Sequence, residues 1–279
     1  MKRFAFFLCL LSSSLTAAEE MDTLQETLAE QAIDFTAPLL QLQFEDWYSH
    51  SVWNTESTSN TFVVRPVIPL NKTKSFPFKQ LIRVSAYAVT TPKNPRHVTG
   101  LGDTQFLDLF LYENPNWGRI GLGPIAILPS ATNQSKIGQG KWQAGPALAV
   151  MLLNGCDTRW QLGFLAQNPW GFLGNSAKPN VISLFLQPLL AVHFPHNWYL
   201  LSNAQMTFQW RPHSVQVPVN IGIGKVATIK GQPINAFMEA EWVVYKTNAD
   251  FKPHFTVKVG FDFLFPDCKP TCLDKAGRT

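Results

Sequence analysis

Long apolar runs are what this sequence most lacks. Beyond residue 18 there is no stretch of about 18 consecutive apolar residues, the length a helix needs to cross a bilayer, so a helical membrane protein is excluded. Charge of one sign is lacking too. The chain carries 23 Lys+Arg against 19 Asp+Glu and has no basic cluster in its body, so no nucleic-acid partner is expected. Cysteine is scarce, with four in 279 residues. Cys9 sits in an apolar N-terminal run and Cys156 in an expected turn. Cys268 and Cys272, in the tail DCKPTC, can close a small disulfide loop in an oxidising compartment. With no histidine or further cysteine pair beside them, they do not read as a metal site. There is no GxSxG, no HExxH and no glycine-rich phosphate loop, so neither an enzyme nor a cofactor is expected. The Ser/His neighbours that could serve the rival reading, an outer-membrane lipid hydrolase, are His50 between Ser49 and Ser51, and His213 beside Ser214.

What is present begins with an export signal. In MKRFAFFLCLLSSSLTAA, Lys2 and Arg3 precede a short apolar run, and small residues follow at Thr16 and Ala18. Cleavage after Ala18 lowers the net charge from +4 to +2. Residues 19–38 include MDTLQETLAEQA, the pattern of a short amphipathic helix, expected either in the periplasm or tucked into a lumen. The rest alternates. From His254 to Phe265, Phe255, Val257, Val259, Phe261, Phe263 and Phe265 share one parity, and Thr256, Lys258, Gly260 and Asp262 the other. Successive strand side chains point to opposite faces, so one face is apolar and the other mostly polar.

About a dozen such segments follow one another: 39–45, 61–70, 79–88, 103–112, 117–128, 141–152, 158–168, 180–193, 197–210, 214–226, 232–246 and 253–265. Most are near the length of a tilted membrane strand. The first four odd-numbered connections hold 11 to 15 residues and the even ones 3 to 8, the long–short alternation of an up-and-down barrel with long loops outside and short turns in the periplasm. Trp117, Trp142, Trp160, Trp170, Trp198 and Trp210 fall at or near strand ends, where amphipathic rings suit the headgroup region. The expectation is an all-β chain: signal peptide 1–18, N-terminal segment 19–38, a transmembrane antiparallel barrel of about 12 strands over 39–266, and a periplasmic tail 267–279. Its partner surface is the lipid of a Gram-negative outer membrane.

Parity assigns a lumen lining. Arg65, Arg83, Asp108, Arg159, Glu239, Glu241, Lys258 and Asp262 oppose the apolar stripes, joined by the aromatics Phe106, Phe110, Tyr112, Phe185, Tyr199 and Phe237. Charges barred from lipid must face water or one another, so they form either a structural network or a pore constriction.

Several stretches taken in order resemble a known family: RPVIPL (65–70), GLGD (100–103), GLGPIAILPSAT (121–132), GQGKWQAGP (138–146), QPLLAVHFPHNWYL (187–200), VPVNIGIGKV (217–226), GQPIN (231–235) and FLFP (263–266). Over about Pro38 to Pro266 the chain is similar to the outer-membrane proteins filed as the "MetA-pathway of phenol degradation" family. The resemblance implies a roughly 12-stranded barrel that passes small hydrophobic or aromatic compounds. The chain departs from that pattern in the tail after FLFP and in the apolar GFLGN (171–175). The function expected is an outer-membrane channel or passive transporter for small aromatic or hydrophobic molecules. A structural or surface-interaction barrel with a plugged lumen is the second reading.

Overall fold

The computed structural model describes residues 28–53, 57–74, 76–92, 97–114, 117–134, 137–152, 159–211, 213–248 and 253–266. The export signal, Cys156 and the Cys268/Cys272 tail lie outside them. Alternation along the chain becomes one antiparallel sheet of fifteen strand segments: β1 (Leu40–Val52), β2 (Ser59–Leu70), β3 (Lys79–Thr91), β4 (Val98–Leu101), β5 (Thr104–Asn114), β6 (Gly118–Leu128), β7 (Lys141–Leu152), β8 (Trp160–Gln167), β9 (Trp170–Gly174), β10 (Ile182–Phe194), β11 (Trp198–Ser202), β12 (Met206–Arg211), β13 (Ser214–Ile229), β14 (Gln232–Thr247) and β15 (Pro253–Phe265). β4–β5, β8–β9 and β11–β12 are each one strand with a break, and the sheet closes into a 12-stranded up-and-down barrel. The seam pairs β1 with β15, from Leu40↔Phe265 to Val52↔Pro253. Closure leaves no unpaired sheet edge, the condition for crossing a membrane with strands. We call the end where β1 starts and β15 finishes the base, and the opposite end the mouth.

Register decides the faces. Phe44 stands opposite Val64 and Phe261, and its ring stacks on that of Phe261 at 5.2 Å, all on the outer surface. Gln43 stands opposite Arg65 and Asp262, all on the inner one. The outer surface carries Phe62, Ile68, Leu122, Leu190, Ile221, Met238, Val259 and Phe261, each at least a third exposed. Trp160 and Trp170 bracket this band on one strand, ten positions apart. At about 3.3 Å per residue and a tilt of about 40° that spans about 25 Å, the height of a lipid-facing band.

The connections differ from expectation. β1 runs to Val52 rather than 45 and β3 to Thr91 rather than 88, so the mouth connections shrink to 53–58, 92–97, 129–140, 175–181, 212–213 and 248–252. Only 129–140 stays longer than every base connection. The strands continue past the apolar band because pairing outlasts the need for an apolar face: at β1–β2 the outward side turns polar, where Asn60 donates to Asp46 at 2.7 Å. At the base, Lys230 (φ 51°) and Gly231 (φ 84°) form the two-residue, both-positive-φ turn that matches strand twist.

Each break in the wall is mended by a side chain, as hydrocarbon requires. Near the mouth, after β4, Asp103 accepts from the amides of Ala131 (3.2 Å) and Gln139 (2.7 Å). Between β8 and β9, Asn168 donates to the Ser183 carbonyl at 2.6 Å. Between β11 and β12, Asn220 of β13 accepts from the amides of Asn203 (2.7 Å) and Ala204 (2.8 Å).

Candidate functional site

The lumen is built in two halves. From β3 to β8 the inward residues of the middle of the wall are largely apolar: Leu81, Leu107, Leu109, Leu111, Ile125, Ile127, Ala147, Ala149 and Leu165 form one buried cluster with Val67 of β2. From β13 round the seam to β3 they are polar. Arg65 donates to Glu45 (2.5 Å), Gln43 (3.2 Å) and Ser85 (3.1 Å). Glu45 also accepts from the Trp47 indole at 2.7 Å. Lys258 donates to Glu241 at 2.6 Å, lies 4.0 Å from Glu239 and sits 5.2 Å from the centre of a Trp47 ring. Asn220 donates to Glu239 at 2.8 Å, and Asn235 to Asp262 at 2.8 Å while accepting from the Tyr199 hydroxyl at 2.7 Å. Desolvated ions are costly unless so paired, and losing one partner is far costlier than losing both.

Glycines make room for the large inward side chains. A Cβ at Gly224 would lie 2.2 Å from the Tyr199 ring, and one at Gly260 would lie 2.3 Å from the Phe237 ring. Tyr199, on the short β11, is thereby fully buried against Ala191 and Leu201.

Residues 28–39 enter this lumen at the base. Residues 28–33 are helical, and Leu28, Ala29, Ala32, Ala37 and Leu39 are buried with Val226 and Leu264 of the wall. Phe35 packs on the apolar half and Ile33 on the Ala191–Tyr199–Leu201 cluster. Asp34 ends the helix, accepting from the Thr36 amide (2.6 Å) and hydroxyl (2.7 Å), and pairs with Arg119 of β6. Gln161 of β8 donates to the Glu30 carbonyl (3.1 Å) and Gln41 to the Gln31 carbonyl (3.3 Å). Of the two places open to this segment, its described part occupies the lumen. Above it lies a cavity of about 450 Å³, from Ala32–Phe35 at the floor to Ser49, Ser59 and Pro253 toward the mouth.

The expected lining divides accordingly. Arg65, Arg83, Glu239, Glu241, Lys258, Asp262, Tyr199 and Phe237 line this cavity, and Phe185 packs on the apolar cluster beside it. Asp108, Phe106, Phe110 and Tyr112 do not. Leu107, Leu109 and Leu111 take the inward positions of β5, so those four face outward; Asp108 accepts from the equally outward Gln80 at 3.2 Å. Arg159 is exposed at the base, just before β8, away from the cavity. The lining residues that parity missed are Gln43 and Glu45, inside the expected first strand, Trp47, which continues the alternation of β1 past its expected end, and the amides Asn220 and Asn235. The Ser/His neighbours separate. Ser49 is buried on the inner face, 2.8 Å from the Thr256 hydroxyl, while His50 is exposed on the other face.

An outer surface dominated by an apolar band, on a closed barrel that turns most of its charged groups inward, defines a transmembrane β-barrel. Comparison with solved structures agrees on the fold. The COG4313 outer membrane channel from Pseudomonas putida F1 superposes with a TM-score of 0.62 over 81% of this chain and 94% of that one, at 12% identity. A KdgM porin, solved in complex with disordered oligogalacturonate, gives a TM-score of 0.43 at 7% identity over 81% of this chain and 99% of that one. No family model and no curated protein matches the sequence.

Proposed function

We propose that this protein is a passive channel of a Gram-negative outer membrane, with its base toward the periplasm and residues 28–39 narrowing the periplasmic end. The observation that carries the reading is the lumenal cavity, lined on one half by paired charges and apolar on the other, running from that segment toward the mouth. Such a lining gives a small molecule with an apolar or aromatic part a path with polar handles. The resemblance to the phenol-degradation family points the same way, by analogy. We assign no catalytic step to it.

Single-channel recording in planar bilayers tests this. The wild type is expected to give small conductance steps, and a Phe35→Ala, Arg119→Gln variant, which loosens the segment, larger ones. The packing of residues 28–39 favours one other reading, a structural barrel with a sealed lumen. Silence from wild type and variant alike would select it. Liposome swelling with phenol-sized solutes is the matching flux assay.

A further inference from the structure

Arg83 differs from every other charged group lining the cavity. Asp34 is held by Arg119, Glu45 by Arg65 and Trp47, Glu239 by Asn220, Glu241 by Lys258, and Asp262 by Asn235. Arg65 and Lys258 are the donors in their own pairs. Of the charged residues that line the cavity, Arg83 is the one with neither a hydrogen bond nor an ion pair to another described residue, although it stands on the inner face of the wall.

Its surroundings are two-sided. Directly opposite it on the flanking strands are Val67 and Leu107, and Leu81 precedes it on the inner face of β3. Val67, Leu81 and Phe35 belong both to the buried apolar cluster and to the cavity wall. Arg65, on the neighbouring β2, bonds Glu45, Gln43 and Ser85, so the Glu45 carboxylate is already engaged. The carboxamides of Gln105 and Gln187 also line the cavity and make no hydrogen bond with another described residue. A guanidinium at the edge of an apolar shelf, with a spare amide donor on the neighbouring strand (Gln105) and another across the lumen on β10 (Gln187), has the parts of a receptor for a carboxylate on an apolar body. The planar fork takes both oxygens, and a cavity of about 450 Å³ is in the range that encloses a small ligand.

We infer that Arg83 is the anchor of a lumenal binding site for small organic carboxylates with an aromatic or aliphatic body. The inference rests on the channel reading only in that the cavity must be reachable from solution; it narrows the permeant from apolar molecules in general to amphipathic anions. Desolvation of an unpaired guanidinium is relieved when the anion arrives, and the shelf supplies the discrimination against inorganic anions.

The test uses the full-length barrel in detergent at low salt, titrated calorimetrically with benzoate, benzyl alcohol and acetate. Benzoate is expected to bind at least about tenfold more tightly than either, the weight of one charge-assisted pair or of one buried ring. Arg83→Gln should abolish the preference for benzoate over benzyl alcohol, and Arg83→Lys should keep part of it. Heat-modified gel mobility checks that each variant is a folded barrel. Equal binding of benzoate and benzyl alcohol by the wild type, or a benzoate preference that survives in folded Arg83→Gln, would overturn the inference. Planar-bilayer recording of the same samples separates the two readings. A wild type that conducts but shows no benzoate preference leaves the channel and removes the site. One that binds benzoate through Arg83 yet never conducts leaves the site and removes the channel.

Discussion

Asn220 holds more of the wall together than its size suggests. Its oxygen takes two backbone amides orphaned by the break between β11 and β12, and its nitrogen serves Asn203 and Glu239. Asn220→Ala leaves two amides without partners and Glu239 with only the distant Lys258, and each buried unsatisfied group costs about 1–3 kcal/mol. Urea unfolding from lipid vesicles should therefore register a loss of about 3 kcal/mol or more. Asn220→Asp keeps both acceptor contacts but sets a second carboxylate against Glu239, so it should also destabilise, and less so as the pH falls. Gly224 makes a second residue-scale prediction. A methyl group there meets the Tyr199 ring, which is enclosed on its other sides, so Gly224→Ala should cost about 1–3 kcal/mol. Adding Tyr199→Leu should recover part of that loss; a double variant no more stable than Gly224→Ala would mean that the ring is not the obstacle.

At the scale of the element, β15 and β5 make an instructive pair. β15 places Phe255, Val257, Val259, Phe261 and Phe263 outward and Lys258 and Asp262 inward. Val259→Arg, mid-strand, should cost about 2–4 kcal/mol of barrel stability, with Lys258→Arg far milder. β15 was legible in the sequence because its two parities differ sharply in polarity. β5, TQFLDLFLYEN, is apolar on both parities. Period two was visible there, but which face was inner was not, and Asp108, the acid at its centre, drew the assignment to the wrong side. The reason lies outside β5: half of this lumen is apolar because Phe35 and the neighbouring strands fill it. A cysteine at Asp108 should react with a lipid-phase maleimide, whereas one at Leu107 should not; the reverse pattern would restore the inward Asp108. The strand count and most strand positions were likewise readable from alternation. The breaks at 102–103, 168–169 and 203–205 were not, since each depends on a hydrogen bond between segments far apart in the sequence: Asp103 to the 129–140 connection, Asn168 to β10, and Asn220 of β13 to the amides of Asn203 and Ala204. Within the site, Arg65, Lys258 and Glu241 could be found by charge and parity. Trp47 was lost at a strand boundary set too early, Glu45 because it was the last residue of that shortened strand, with no partner beyond it to show its face, and Asn220 and Asn235 because an uncharged amide gives no signal of its own.

For the molecule as a whole, the amphipathic pattern of residues 19–38 was readable, but its destination was not. A lumen able to take residues 28–39 exists only once β1 has met β15, more than two hundred residues away. That connectivity has a kinetic consequence. The segment leads directly into Leu40, a seam residue, so a conformation that withdraws it from the cavity leaves it hanging at the base by its own chain. It then acts as a blocker supplied at an effective concentration of the order of millimolar, whatever the protein concentration in the membrane. Openings should accordingly end in first-order closures whose lifetimes ignore the number of barrels present. A soluble peptide of residues 28–39, added to a variant lacking them, should close the pore only in proportion to its dose.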